Sequence, residues 1–340
     1  MILLLVLLAI VCLWRIRISG YHADYLSKES TTAIKGIFAA LIFCSHIRGY
    51  ITLSPAWWNT SYNTILDHLG QLTVVLFFFY SGYGIWESQK RKGNYGKTFF
   101  KRRFLKILLH FDIAVLIFIV VQLLIPIHYS VRQYALCWVG WESVGNSNWF
   151  IFDILALYLI AQVALWVQNR WGQGGIPLTL GATIALWIAL RVADKPSWWV
   201  DTILAFPLGM VVSSYKKEID GILSKPTVPY LLTGAFLLLV LLAHKYTGND
   251  IYGMTACLFC CFVTLAASLI TLGNPVLDWL GKNAFTIYII QRLPMIVFSA
   301  MGLNQHTPLF VLLCLAVTLL LAEGLSRLYT PMDKRFFAHA

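Results

Sequence analysis

Charge is what this sequence has least of. Only 12% of its 340 residues are Asp, Glu, Lys or Arg, about half the share found in soluble domains. No polar stretch is long enough to form a separate soluble domain, so residues 1–340 read as one membrane unit. Internal repeats and low-complexity linkers are missing as well. A disulfide framework is absent: the seven cysteines, at 12, 44, 137, 257, 260, 261 and 314, lie mostly inside apolar runs. Cys257, Cys260 and Cys261 have a metal-like spacing, but no His or carboxylate stands between them, so they read as small core residues and no metal is expected. The first residues, MILLLVLLAIVCLWRIRI, have no basic stretch before the apolar run and no small-residue cleavage site after it. A retained first helix is expected rather than a signal peptide.

What remains is overwhelmingly apolar. Hydrophobic residues make up 59% of the chain and the mean hydropathy is +0.72, which is the membrane class. Apolar runs predict helices near 1–16, 33–50, 69–86, 105–127, 149–168, 176–190, 198–214, 229–243, 251–272, 284–302 and 308–328. The fold class is therefore all-α, a polytopic transmembrane bundle of eleven helices. Gly, Pro, Asn and Asp punctuate most connections, as in Gly172–Pro177 and Gly273–Pro275.

The net charge of +11 points first to topology rather than to nucleic acid, because Lys and Arg gather in cytoplasmic loops. Of the 26 Lys and Arg residues, most fall in alternate connections: the first loop, the 87–106 segment, Arg170, Lys216–Lys225, Lys282 and the C-terminal end. The intervening loops hold only Arg48, Arg132, Arg191, Lys195 and Lys245. This asymmetry predicts a multi-pass protein of the bacterial inner membrane with its N-terminus outside and its C-terminus in the cytoplasm.

Ionisable groups inside spans are costly and mark function by default. Lys35 and His46 lie eleven positions apart on one helix, which returns both to nearly the same face, separated by about 16 Å along the axis. A cation near the inner mouth can meet phosphate or polarise a carbonyl, and a neutral imidazole deeper in can take a hydroxyl proton. The bland alternative is a Lys35 that snorkels to the interface and a His46 that bonds a neighbouring helix. Further on, Arg103, Lys106 and His110 form one stripe leading from a loop with eight cations into the bilayer. It suits a ligand with several phosphates; anionic lipid head groups and topology explain it too. On the outer side, the segment from Trp138 to Trp149 offers aromatic faces, amides and a carboxylate, groups that bind sugars. Trp57, Trp58, Trp198 and Trp199 share that side, and an interfacial belt accounts for the same residues. Asp153 lies at a depth similar to His46 and is the expected group to orient its ring, with Asp201 and Glu142 as rivals.

Five motifs in one order carry a resemblance. They are Lys35-x10-His46, the Phe77-Phe-Phe-Tyr-Ser-Gly-Tyr83 run, Arg102-Arg103-Phe-Leu-Lys106, Trp149-Phe150 with Tyr158, and Trp279-Leu-Gly-Lys-Asn-Ala-Phe-Thr-Ile-Tyr288. Between about residues 30 and 300 the chain resembles the acyltransferase-three family of bacterial integral-membrane O-acyltransferases. That resemblance implies ten core helices, here with one extra N-terminal helix over residues 1–28, a core over 29–329 and a cytoplasmic tail over 330–340. It implies acyl-CoA, usually acetyl-CoA, as donor and a glycan, glycolipid or small molecule as acceptor. The Lys35/His46 pattern then supplies the catalytic base, His46, and a basic residue nearer the inner mouth, Lys35, with Asp153 the expected group to orient the ring. Arg102, Arg103, Lys106 and His110, with Ser81 and Tyr83, hold the donor, while Glu142, Asn148 and Trp149 meet the acceptor. Two departures stand out: Lys106 replaces the usual Arg of the basic pair, and Gln291 lies near a position where many members have His, so no role is carried to it. A non-catalytic translocator of glycan or lipid precursors is the alternative from another class. Membrane lipids are expected partners and nucleic acid is not; the sequence does not set the oligomeric state.

Overall fold

The apolar runs form helices because, with no water in the hydrocarbon region, a spanning backbone must satisfy its own hydrogen bonds. The computed structural model describes residues 1–93, 95–125, 127–246 and 252–337. In chain order these include α1 (Ile2–Leu13), α2 (Lys28–Ile47), α3 (Trp57–Leu69), α4 (Leu72–Lys92), α5 (Gly96–Phe99), α6 (Lys106–Gln122), α7 (Val131–Leu136), α8 (Trp149–Trp171) and α9 (Gly175–Val192). The second half adds α10 (Ala205–Ser214), α11 (Lys216–Leu223), α12 (Val228–Tyr246), α13 (Tyr252–Ala267), α14 (Pro275–Lys282), α15 (Ala284–Ile290), α16 (Arg292–Ala300) and α17 (Thr307–Phe337). The protein is an all-α polytopic bundle. Among the described residues, seven stretches are long and apolar enough to cross a membrane: Lys28–Tyr50, Trp57–Lys92, Gly96–Gln122, Trp149–Trp171, Gly175–Val192, Val228–Lys245 and Thr307–Phe337. The shorter apolar helices are Ile2–Leu13, Ala205–Ser214, Tyr252–Ala267 and Ala284–Ala300. Each of the eleven expected apolar runs overlaps one of these stretches.

Several details depart from the sequence expectation. Helix α2 begins earlier than 33, at Lys28, because Ser27 caps it by accepting the Ser30 amide at 3.1 Å. Residues 57–69 are helical, not loop; the polar residues there hide an amphipathic pattern that buries Asn59, Tyr62 and Leu66. The run expected over 198–214 is helical only from Ala205, after a short 3-10 turn at Ser197–Trp199. The expected start at residue 251 lies outside the described residues. A two-stranded antiparallel ribbon also joins Ile16–Ile18 (β1) to Ile270–Leu272 (β2), with Arg17 opposite Thr271.

Glycines set the two tightest helix contacts. A methyl on Gly82 of α4 would overlap the Phe206 carbonyl, and one on Gly209 of α10 would overlap the Phe79 carbonyl. Between α2 and α14, Gly36 meets the Leu277 carbonyl and Gly281 the Thr32 carbonyl in the same way. Small residues let backbones approach this closely in lipid, where apolar area alone drives little association. Gly84, two residues on from Gly82 and so on the far side of α4, has nothing within 4 Å of where a Cβ would stand. It borders open space.

Candidate active site

That open space is a cavity of about 690 Å³ enclosed by α2, α4, α8, α15, α17 and the start of α6, within the usual range for ligand pockets. Lys35, Ser81, Tyr83, Arg103, Lys106 and His110 all line it, so six residues expected from three separate sequence regions share one space. Lys28, Arg91 and Lys282 add cations at the same end, and sequence reading had counted them only as topological charge. Their signal was the number of cations, which exceeds what orientation needs.

Local structure explains how these side chains converge. The chain between α5 and α6 is π-helical over Phe100–Leu105, and such wider turns rotate the residues that follow. Arg103 lines the cavity and donates from Nε to the Tyr95 hydroxyl at 3.2 Å. Arg102, its neighbour, does not line the cavity, which separates the two arginines that the sequence grouped together. Lys106 and His110 turn toward a carboxylate: Lys106 Nζ stands 2.5 Å and His110 Nε2 2.9 Å from Asp333 of α17. The His110 ring stacks on Tyr329 at 3.9 Å between centroids. Helix α17 continues past residue 330 to Phe337, with Pro331 inside it, and carries Asp333 to the cavity lining. By contrast, Lys35 is half-buried and makes no hydrogen bond or ion pair with the described residues.

The other end of the cavity closes on rings. Phe77, Phe150 and Tyr288 line it, with ring centroids 6.2 Å apart for Phe77–Phe150 and 5.3 Å for Phe150–Tyr288. His46 does not line the cavity. It lies one turn beyond Ile42, which does, and its ring is 6.2 Å from that of Tyr288. His46 therefore lies just outside the cavity, next to Tyr288, which lines it.

Asp153 does not orient His46. It is fully buried, and neither carboxylate oxygen has a hydrogen-bond partner. The group on His46 Nδ1 is the side-chain amide of Gln291, at 3.1 Å. Gln291 carried no expected role, because it lies near a position where many members of the resembling family have His, and the break in the helix over 284–300 is not visible from spacing. Pro294 has no N–H for the Ile290 carbonyl, and the break between α15 and α16 falls on Gln291.

The residues expected to meet an acceptor are engaged in their own segment. Glu142 pairs with Arg132 at 3.2 Å, and Asn148 donates to the Gly140 carbonyl at 2.9 Å. Trp149 packs its ring against Phe150. Lys195 locks the same segment, donating to the Trp141 carbonyl at 3.0 Å while its ammonium lies 3.8 Å from the Trp141 ring and 4.3 Å from the Trp199 ring. Trp57, Trp58, Trp138 and Trp198 are exposed, as an interfacial belt requires. No cluster of three His, Cys, Asp or Glu side chains is arranged to hold a metal among the described residues.

A single cavity with a cationic end and a histidine behind its apolar end is the architecture that comparison has to account for. The model of the acyltransferase-three family, described as an acyltransferase domain, matches residues 29–326, nearly the whole chain. The chain belongs to this acyltransferase family. A search of curated proteins found no match, and a search of solved structures found none either. Asp333 lies beyond the matched region.

Proposed function

We propose that this membrane acyltransferase moves an acyl group, in the simplest case acetyl, from cytoplasmic acyl-CoA to a hydroxyl of an extracytoplasmic glycan, glycolipid or small molecule. The observation that carries this reading is the cavity itself, with cations at one end and His46 just past the other. The two ends match the donor in length. Lys35 and His46 are about 16 Å apart along α2 by the helix rise. The arm between diphosphate and sulfur in coenzyme A has about a dozen backbone bonds, and at roughly 1.3 Å of advance per bond it spans about 16 Å. A diphosphate near Lys35 and Arg103 then sets the thioester beside Tyr288 and His46.

The reaction needs no covalent enzyme intermediate. His46 accepts the proton of the acceptor hydroxyl as its oxygen attacks the thioester carbonyl carbon. The carbon–sulfur bond breaks, and the departing thiolate takes the proton from the imidazolium, leaving an ester and free coenzyme A. Orientation follows the loop charges: the cationic mouth faces the cytoplasm and the tryptophan-rich segment faces outward in the bacterial inner membrane.

Purified protein in lipid nanodiscs, given labelled acetyl-CoA and extracted envelope fractions, tests this. His46→Ala should insert normally and bind donor, yet lose roughly 10²–10⁴ in turnover, the usual contribution of a general base. Near-normal transfer by folded His46→Ala refutes the mechanism.

A further inference from the structure

One neighbour grips the His46 ring. Its Nδ1 lies 3.1 Å from Nε2 of the Gln291 amide, and no second hydrogen bond to the ring is formed among the described residues. Gln291 is fully buried, and its Oε1 has no partner. The backbone around it is fixed by the break before Pro294 and by the Gln291 amide donating to the Ile287 carbonyl at 2.9 Å. Such a residue does not wander: a buried polar side chain with one contact is held by the cost of leaving it unpaired.

A neutral imidazole carries its proton on one nitrogen only, and the partner of Nδ1 decides which. With the amide nitrogen at Nδ1, that ring nitrogen accepts and the proton sits on Nε2, where the ring cannot take another. With the amide turned over, Oε1 accepts from Nδ1–H and Nε2 holds a free lone pair. The turn rotates one terminal torsion and exchanges two ends of nearly equal size. Asp153, the carboxylate at similar depth, makes no hydrogen bond that could do the same.

We propose that Gln291 is the positioning residue of this site: with its amide turned over from the orientation in the structure, its carboxamide oxygen accepts Nδ1–H of His46 and so makes Nε2 the base that receives the acceptor's proton. This rests on the reading of His46 as base and deepens it. An amide orients the ring without placing a second charge in the span, where an unpaired carboxylate is expensive.

Two substitutions separate positioning from packing. Gln291→Leu keeps the volume and removes the hydrogen bond; Gln291→Glu keeps an acceptor for Nδ1–H in a polar side chain that the buried site tolerates poorly. If Gln291 only packs, Leu is the better replacement. If it positions His46, the order reverses: Glu retains turnover within about tenfold, and Leu loses roughly 10²-fold or more in kcat with KM for acetyl-CoA within twofold. Thermal unfolding and donor binding, measured on each variant, confirm that it is folded. Should Glu fail to fold, the double variant decides. In a His46→Ala background, Gln291→Leu should lower the residual rate no further, because the two residues act as a unit. Full activity in Gln291→Leu, or an equal loss with and without His46, overturns the inference while leaving His46 as base intact. A fully active His46→Ala overturns the parent reading instead.

Discussion

Asp333 occupies the place where an anionic donor should bind, and removing its charge is the most informative perturbation of the cavity. Lys106 Nζ is 2.5 Å and His110 Nε2 2.9 Å from its two carboxylate oxygens, with the Lys106 side chain 39% and the Asp333 side chain 22% exposed. Pairs this open to water contribute about 0.2–1 kcal/mol, and the second contact to His110 moves the sum toward the upper end. A phosphate that takes over Lys106 must first displace that carboxylate. Asp333→Asn keeps the shape and a weaker hydrogen bond while removing the competing charge. Donor affinity should therefore rise about two- to fivefold, since about 1.4 kcal/mol is a factor of ten. The gain should be largest at low ionic strength and fade as salt screens the mouth. Titration calorimetry with coenzyme A at two salt concentrations reads this directly, and an unchanged melting temperature excludes a global effect. Weaker donor binding by Asp333→Asn refutes the reasoning, because the carboxylate would then be holding Lys106 and His110 for the donor rather than against it.

Further outcomes follow from other parts of the structure. At Gly84, which lines the cavity, an added Cβ meets nothing within 4 Å, so Gly84→Leu should raise donor KM at least tenfold with little change in melting temperature; unchanged KM would place the donor elsewhere. Gly82→Ala meets a backbone carbonyl that cannot swing aside, and it should destabilise the fold by roughly 1–3 kcal/mol, seen as a lower melting temperature in detergent. A cysteine at Lys97, in a variant whose native cysteines are replaced, should resist membrane-impermeant thiol reagents in intact cells, as the positive-inside charge count requires. Labelling there would reverse the proposed orientation and the donor side with it.

The membrane class, the helical content and the positions of the apolar runs were all legible before any coordinates, for one reason. In lipid the backbone has few alternatives to the helix, so hydropathy and local punctuation determine most of the secondary structure. The convergence of Lys35, Ser81, Tyr83, Arg103, Lys106 and His110 was legible as well, through the order of motifs. What stayed hidden was pairing. Asp153 and Gln291 are both polar residues inside apolar runs, and spacing alone favoured the carboxylate; only the break at Pro294 shows that the amide meets His46.

The amphipathic helix over Trp57–Leu69 was obscured in a similar way, since polar residues on one face look like loop until the buried face is known. Asp333 is the clearest case of long-range decision. It is 223 residues from His110 in sequence, and nothing local to either residue hints that they meet. By itself, then, the sequence determined that this chain enters a membrane as helices, which residues are chemically able to act, and which family it belongs with. Only tertiary structure decided which of those residues face one cavity, which carboxylate shields its cations and which side chain holds the histidine. Hydrogen bonds and ion pairs span a few ångströms in space, and in a bundle those ångströms join helices hundreds of residues apart.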